Sequence, residues 1–290
     1  MAGQDFYEEQ TWKADASAVA LVGWCVRHMD RDAYEDLWHL IIPPVMTLLD
    51  DYQTEYKLRG VLVVRDMLGR APASLLQRTG IAALLQTSLN KCLGVTDGPQ
   101  APIILREASN AILDLVELTT LEGSAARFSQ LCTLLGDGII GTTWTYAARE
   151  KDLMLASLET LPAIIDVLGV GAARYLRALV SQLSHVLVED MPVKHQLASL
   201  KALETVLKRC GPCTHRWRGT ILDGIARSWV RLMEEKVICG EEEKAELVAG
   251  LQGACASLDA VCSLARDDFG RLLAADPAMF AGLLEHARRA

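Results

Sequence analysis

The sequence predicts an all-α protein, a HEAT-like α-solenoid of about five helix pairs running as one array over residues 1–290. Three observations carry that prediction. Leu and Ala dominate an apolar fraction of 51%, whereas the chain holds only 4 Phe, 6 Tyr and 6 Trp; Leu and Ala are strong helix formers. Apolar side chains recur every three or four residues rather than alternating, so each helix has one face to bury against a neighbour. Related segments return after about 40–50 residues, close to the length of a HEAT or armadillo helix pair.

The elements follow in order. The start, MAGQDFYEEQ, is acidic and lacks an apolar leader, and residues 1–11 are expected to be disordered. Pro43-Pro44 is the first breaker, followed by Gly69 to Pro72 and Gly94 to Pro102. Gly60-Val61-Leu62-Val63-Val64 has the composition of a strand core, but the charges of Tyr56 to Leu68 recur at helical spacing, which favours helix. From Ile103 to Leu118, residues Ile104, Ala108, Ala111, Ile112, Leu115 and Leu118 share a stripe, and Glu107, Asn110, Asp114 and Glu117 lie opposite. Breakers recur at Glu122-Gly123, Gly169 to Gly171 and Met191-Pro192. Val193 to Leu207 is amphipathic, with Lys194, Lys201 and Lys208 on another face. Gly211-Pro212, Gly240 and Asp276-Pro277 divide the remainder, giving about a dozen helices. Gly closing one helix and Pro opening the next is the expected asymmetry.

The repeat is visible twice. Leu155-Ala-Ser-Leu-Glu-Thr-Leu and Leu197-Ala-Ser-Leu-Lys-Ala-Leu are offset by 42 residues. A basic residue also opens the second helix of successive pairs at Lys57, Arg106, Lys151, Lys194 and Lys244, at intervals of 49, 45, 43 and 50.

Composition excludes several functions. A formal charge of -8 argues against phosphate-backbone binding as the main task. The longest apolar stretch, Leu40 to Leu49, is half the length of a membrane span and contains two prolines. Eight scattered cysteines without a leader read as buried thiols in a reducing compartment, the cytoplasm and also the nucleus. Walker loops, GxSxG elbows and GxGxxG turns are absent. So are the His-Glu pairs of helical-repeat iron hydroxylases, Glu285-His286 being reversed and solitary.

The most informative stretch is Pro43-Pro44-Val-Met-Thr-Leu-Leu-Asp50-Asp51-Tyr-Gln-Thr-Glu-Tyr56-Lys57-Leu-Arg59-Gly60. Its order of Pro, Asp and a basic residue is that of a HEAT repeat. Pro bends the first helix. Asp50 and Asp51 cap the next helix's free N–H groups, a better account of adjacent carboxylates than acid–base or metal chemistry. Lys57 reaches back to an Asp, and Gly60 lets two helices approach closely.

The full wording, PPxxTLLDDxxxxYKxxG, resembles the family of Tel-two-interacting protein two, a subunit of the triple-T co-chaperone complex. Arg209-Cys210-Gly211-Pro212 and Trp217-Arg218-Gly219-Thr-Ile221-Leu222-Asp-Gly224, ending at Trp229, fit the same family, as do Trp12-Lys13 and Trp38 to Ile42. Its members carry additional N-terminal sequence, so a short member or a trimmed chain is expected. The resemblance implies a non-catalytic adaptor without cofactor. Its partners would be Tel-two-like and Tti-one-like subunits and, indirectly, the Hsp-ninety machinery and the phosphatidylinositol-3-kinase-related kinases. No nucleic acid or membrane is implied. A generic HEAT-repeat scaffold and a helical-repeat metal enzyme are the competing readings.

Arg216, Trp217 and Arg218, with Trp229, are the candidate partner-binding residues, because Trp and Arg are favoured interface anchors. The competing reading is that Trp217 and Trp229 fill the core between two repeats. Cys210-Gly-Pro-Cys213 has the wording of a redox site and, with His215, three candidate zinc ligands. It lacks the βαβ setting of the former and the fourth ligand of the latter, so an interhelical turn is the simpler reading.

Overall fold

The computed structural model describes residues 10–285, which form helices joined by turns and loops, with no strand among them. The expectation for residues 1–11 falls mostly outside that range; Thr11 opens a short 3-10 turn, Thr11–Ala14. His286 also lies outside it. The chain groups into two compact units, Met1–Ala147 and Ala148–Ala290, each with its own core.

In the first unit, α1 (Ala16–His28), α2 (Ala33–Leu49), α3 (Thr54–Leu68), α4 (Ala73–Arg78), α5 (Ile81–Cys92), α6 (Ala101–Thr119) and α7 (Ala125–Cys132) follow one another through short turns. α7 runs into a π-helical stretch, Thr133–Thr143. The principal stacking is α3 on α6, with α2 against α3 and α5 against α6. In α6 the stripe Ile104, Ala108, Ala111, Ile112 and Leu115 is fully buried. The opposite stripe is not wholly solvated: Arg65 of α3 pairs with Glu107, and its Nε lies 3.8 Å from Asp114. Burial holds the Asp114 carboxyl above the usual range, while Arg65 pulls it down.

The second unit comprises α8 (Lys151–Leu168), α9 (Leu176–Val188), α10 (Val193–Cys210), α11 (Arg218–Met233), α12 (Glu241–Val261), α13 (Ala265–Ala275) and α14 (Pro277–Leu284). α10 packs between α8 and α12, and α9 packs on α11. At the latter crossing Gly224 leaves room for Ser184, whose Cβ lies 3.0 Å from where a Gly224 side chain would start. The two self-similar segments occupy equivalent places on α8 and α10, with Leu158, Leu161 and Leu203 inaccessible to solvent. The helical run Lys151–Val188 is apolar and long enough by composition to cross a membrane, although charged residues and Pro162 interrupt it in the sequence. Its most apolar stretch is mostly buried inside the unit, so core packing uses that apolarity.

Inter-repeat contacts repeat with the same period as the sequence. In the first unit Arg65 meets Glu107, and Gln77 donates to the Thr119 carbonyl, both 42 residues apart. In the second unit His195 meets the Lys151 carbonyl 44 residues back, and Arg209 meets Asp166 43 back. The basic residues singled out by their spacing, Lys57, Arg106, Lys151, Lys194 and Lys244, all lie near the starts of α3, α6, α8, α10 and α12. These are the helices that stack on one another within each unit. Each unit is therefore a short helical-repeat array.

Pro43-Pro44 corrects an expectation: it does not separate helices but sits inside α2. Two prolines remove the N–H donors that would face the carbonyls of His39 and Leu40. Both residues are exposed, so water can satisfy those oxygens.

Gly60 is where α3 crosses α2. A Cβ there would stand 2.5 Å from the Leu49 backbone nitrogen and 2.7 Å from the Leu48 carbonyl carbon. Backbone cannot yield as a side chain can. Gly60→Ala should destabilise the first unit by at least about 1–3 kcal/mol, the usual cost of overpacking, despite the better helix propensity of Ala. Urea denaturation checks this; an unchanged midpoint would mean the crossing relaxes.

Candidate partner-binding surfaces

The Asp-Asp turn is built differently from a simple helix cap. Asp50 ends α2 and Gln53 begins α3, and neither side chain caps. Asp51 is the buried member, 2% exposed. Its Oδ1 accepts the Gln53 backbone N–H at 2.8 Å, fixing the turn one residue ahead of the helix. Its Oδ2 lies 2.7 Å from Lys13 Nζ. The Lys13 ammonium is also 4.7 Å from the Tyr52 ring centroid, 4.9 Å from Tyr56 and 5.3 Å from Trp12. Trp12 meets Tyr56 edge to face at 5.0 Å. Three π faces and one carboxylate thus hold the cation. Lys57 does not reach an Asp as expected; Nζ donates to the Leu49 carbonyl at 3.1 Å, one of the orphan acceptors at the end of α2.

The basic cluster around residues 209–229 is largely committed inside the second unit. Arg209 Nε donates to Asp166 at 2.6 Å. Arg218 Nε donates to Asp268 at 2.9 Å, and its Nη1 to the His215 carbonyl at 3.0 Å. Arg216 is exposed, and Trp217 is partly exposed where α11 begins. Trp229 does not face solvent as a partner anchor would. It is 4% exposed, and its indole N–H donates to the Met279 carbonyl at 2.8 Å. Of the four candidates, Arg216 and Trp217 remain at the surface, Arg218 is held by Asp268, and Trp229 is core.

Cys210 and Cys213 form a turn and not a reactive pair. Cys210 is fully buried, with Sγ 3.9 Å from the Gly169 carbonyl, and burial pushes its thiol up to about 11. Burial also raises Cys92 to about 11 and Cys255 to about 12. Such thiols carry almost no thiolate at neutral pH. Cys213 is exposed. In native protein at pH 8, a thiol-disulfide reagent should modify Cys213 first and leave Cys92, Cys210 and Cys255 untouched until denaturant is added. Mass mapping of labelled peptides checks this, and early labelling of Cys210 would contradict its burial. Among the described residues, no group of three or more His, Cys, Asp or Glu is placed to hold a metal ion.

The first unit also carries an apolar cavity of about 270 Å³ between α1 and α2, walled by Trp12. Sequence reasoning missed it, because no local motif joins Trp12 to Pro44 and Leu48.

Stacked helix pairs linked by side-chain rungs at the repeat period define the class, a helical-repeat protein. The chain belongs to the Tti2 family, whose model matches residues 1–192. It is 26% identical over 201 residues to TELO2-interacting protein 2 of Rattus norvegicus, covering 68% of this chain and 38% of that one. It is 25% identical over 205 residues to the Homo sapiens protein of the same name, covering 70% and 39%. The chain thus spans about two fifths of the length of the curated relatives it matches. Among solved structures, a designed armadillo repeat protein aligns with a TM-score of 0.44 and 15% identity, over 82% of this chain and 92% of that one.

Proposed function

We propose that the protein is a non-catalytic adaptor subunit of a Tel-two/Tti-one/Tti-two-like co-chaperone complex. In this reading it binds Tel-two-like and Tti-one-like helical-repeat subunits. Through them it serves the Hsp-ninety-dependent maturation and stability of phosphatidylinositol-3-kinase-related kinases, in the cytoplasm and also the nucleus. The observation that carries the reading is the family match over residues 1–192, together with relatives named TELO2-interacting protein 2. Stacked helices support it physically, because they offer long side-chain surfaces to other proteins.

The test is co-expression with the Tel-two-like and Tti-one-like proteins of the same genome, followed by size-exclusion light scattering. A stoichiometric complex is the expected result. Clean separation of a folded chain from both proteins would overturn the reading and leave a generic repeat scaffold.

A further inference from the structure

α1 packs on α3 and α2, and large apolar side chains stand exposed on its outer side. Leu21 is 60% exposed and Trp24 54% exposed, with the His28 ring stacked on Trp24 at 4.6 Å. The neighbouring α2 presents Leu40, 60% exposed, and Leu37, 38% exposed. Leu21 and Trp24 are three apart, as are Leu37 and Leu40, so each pair lies along one side of its helix. An apolar cavity of about 270 Å³ lies between the same two helices, floored by Ala18 and Val22 of α1 and Pro44 and Leu48 of α2; Leu40 stands one turn before Pro44 on that side of α2.

This is a groove with two different ends. One end is closed by Trp12, whose position is fixed by the caged Lys13–Asp51 pair described above. The other end is the α1–α2 turn with the first turn of α2, where Asp30, Asp32 and Asp36 are exposed and Arg31 is the basic residue among them. Glu35, also in this stretch, is already paired with Arg78 at 3.1 Å. Between the ends run the three turns of α1 from Ala18 to His28, about 15 Å at the helical rise.

We propose that the groove between α1 and α2 docks an amphipathic helix of a partner subunit. That helix is about three turns long, lays an i, i+3, i+7 apolar stripe between Leu21 and Leu40, and places Lys or Arg against the Asp30–Asp36 turn. The acid at one end selects a helix with basic residues there and fixes its direction. The inference rests on the adaptor reading and adds the surface, the size and the charge of the segment bound.

The test uses the full chain with the purified Tel-two-like and Tti-one-like proteins. Leu21→Glu/Leu40→Glu changes two exposed side chains, so circular dichroism and the melting midpoint should stay as in the parent. Affinity for one of the two subunits should fall at least tenfold, while Ile238→Glu, an exposed site in the second unit, leaves it unchanged. Asp30→Lys/Asp36→Lys should weaken the same contact and reduce its salt dependence. If the parent binds and the Leu21/Leu40 variant binds equally, the groove assignment falls and the adaptor reading stands. If the parent binds neither subunit, both fall. A parent that dimerises alone, with the variant monomeric, makes the occupant a second copy. A tenfold gain in affinity on deleting residues 1–9 makes it the chain's own leading segment. Either of these last results overturns the proposal.

Discussion

Lys13→Met should lower the stability of the first unit by about 3–5 kcal/mol, the usual cost of removing one member of a buried ion pair. The side chain of Asp51 is 1% exposed and that of Lys13 is 15% exposed, so water cannot replace the lost partner without rearrangement. Asp51 Oδ1 keeps the Gln53 N–H, but Oδ2 has only Lys13. The rings of Trp12, Tyr52 and Tyr56 that surround the Lys13 ammonium suit a cation and offer the carboxylate no replacement partner. Adding Asp51→Asn to Lys13→Met should recover much of the loss, because it removes the stranded charge and retains the turn acceptor. Guanidinium denaturation followed by tryptophan fluorescence measures both variants. A loss below about 1 kcal/mol would place the pair among solvent-exposed bridges.

Trp229→Ala should destabilise the second unit by a similar amount, about 3–5 kcal/mol, through the cavity it leaves. The indole ring packs 3.2 Å from where a Gly282 Cβ would stand, and its N–H holds the Met279 carbonyl. It therefore fastens α14 onto α11. The variant should expose α14 first, seen as loss of amide protection over Pro277–Leu284 ahead of α8 and α10. Binding of Tel-two-like and Tti-one-like subunits, compared at a temperature where the variant is folded, should be unchanged. A folded variant that loses only binding would restore Trp229 as an anchor.

The contrast between these residues shows what a linear reading can reach. The layer of stacked helices was legible because its signals are local: apolar stripes, and basic residues at helix starts returning after 43–50 residues. Gly60 was legible because the HEAT-like pattern around it implies a crossing. Trp229 was ambiguous, since a tryptophan near arginines suits an interface and a core equally. Met279, which decides between them, lies 50 residues away. The Lys13–Asp51 pair escapes a linear reading for the same reason, although Trp12-Lys13 is part of the family wording. Pro43-Pro44 misled because a local rule about prolines was overridden by the exposure of His39 and Leu40.

The rungs between successive helix pairs have a mechanical meaning. Arg209–Asp166, Lys194–Asp152 and Arg231–Asp190 are bridges with at least one solvent-exposed partner. Such bridges are each worth between nothing and about 1 kcal/mol and are screened by salt. The apolar faces beneath them are not screened. Within the second unit, the covering rungs can open and re-form while the hydrophobic seam stays shut, so the array behaves as a soft spring on a firm hinge. Its stiffness should depend on ionic strength far more than its melting point does.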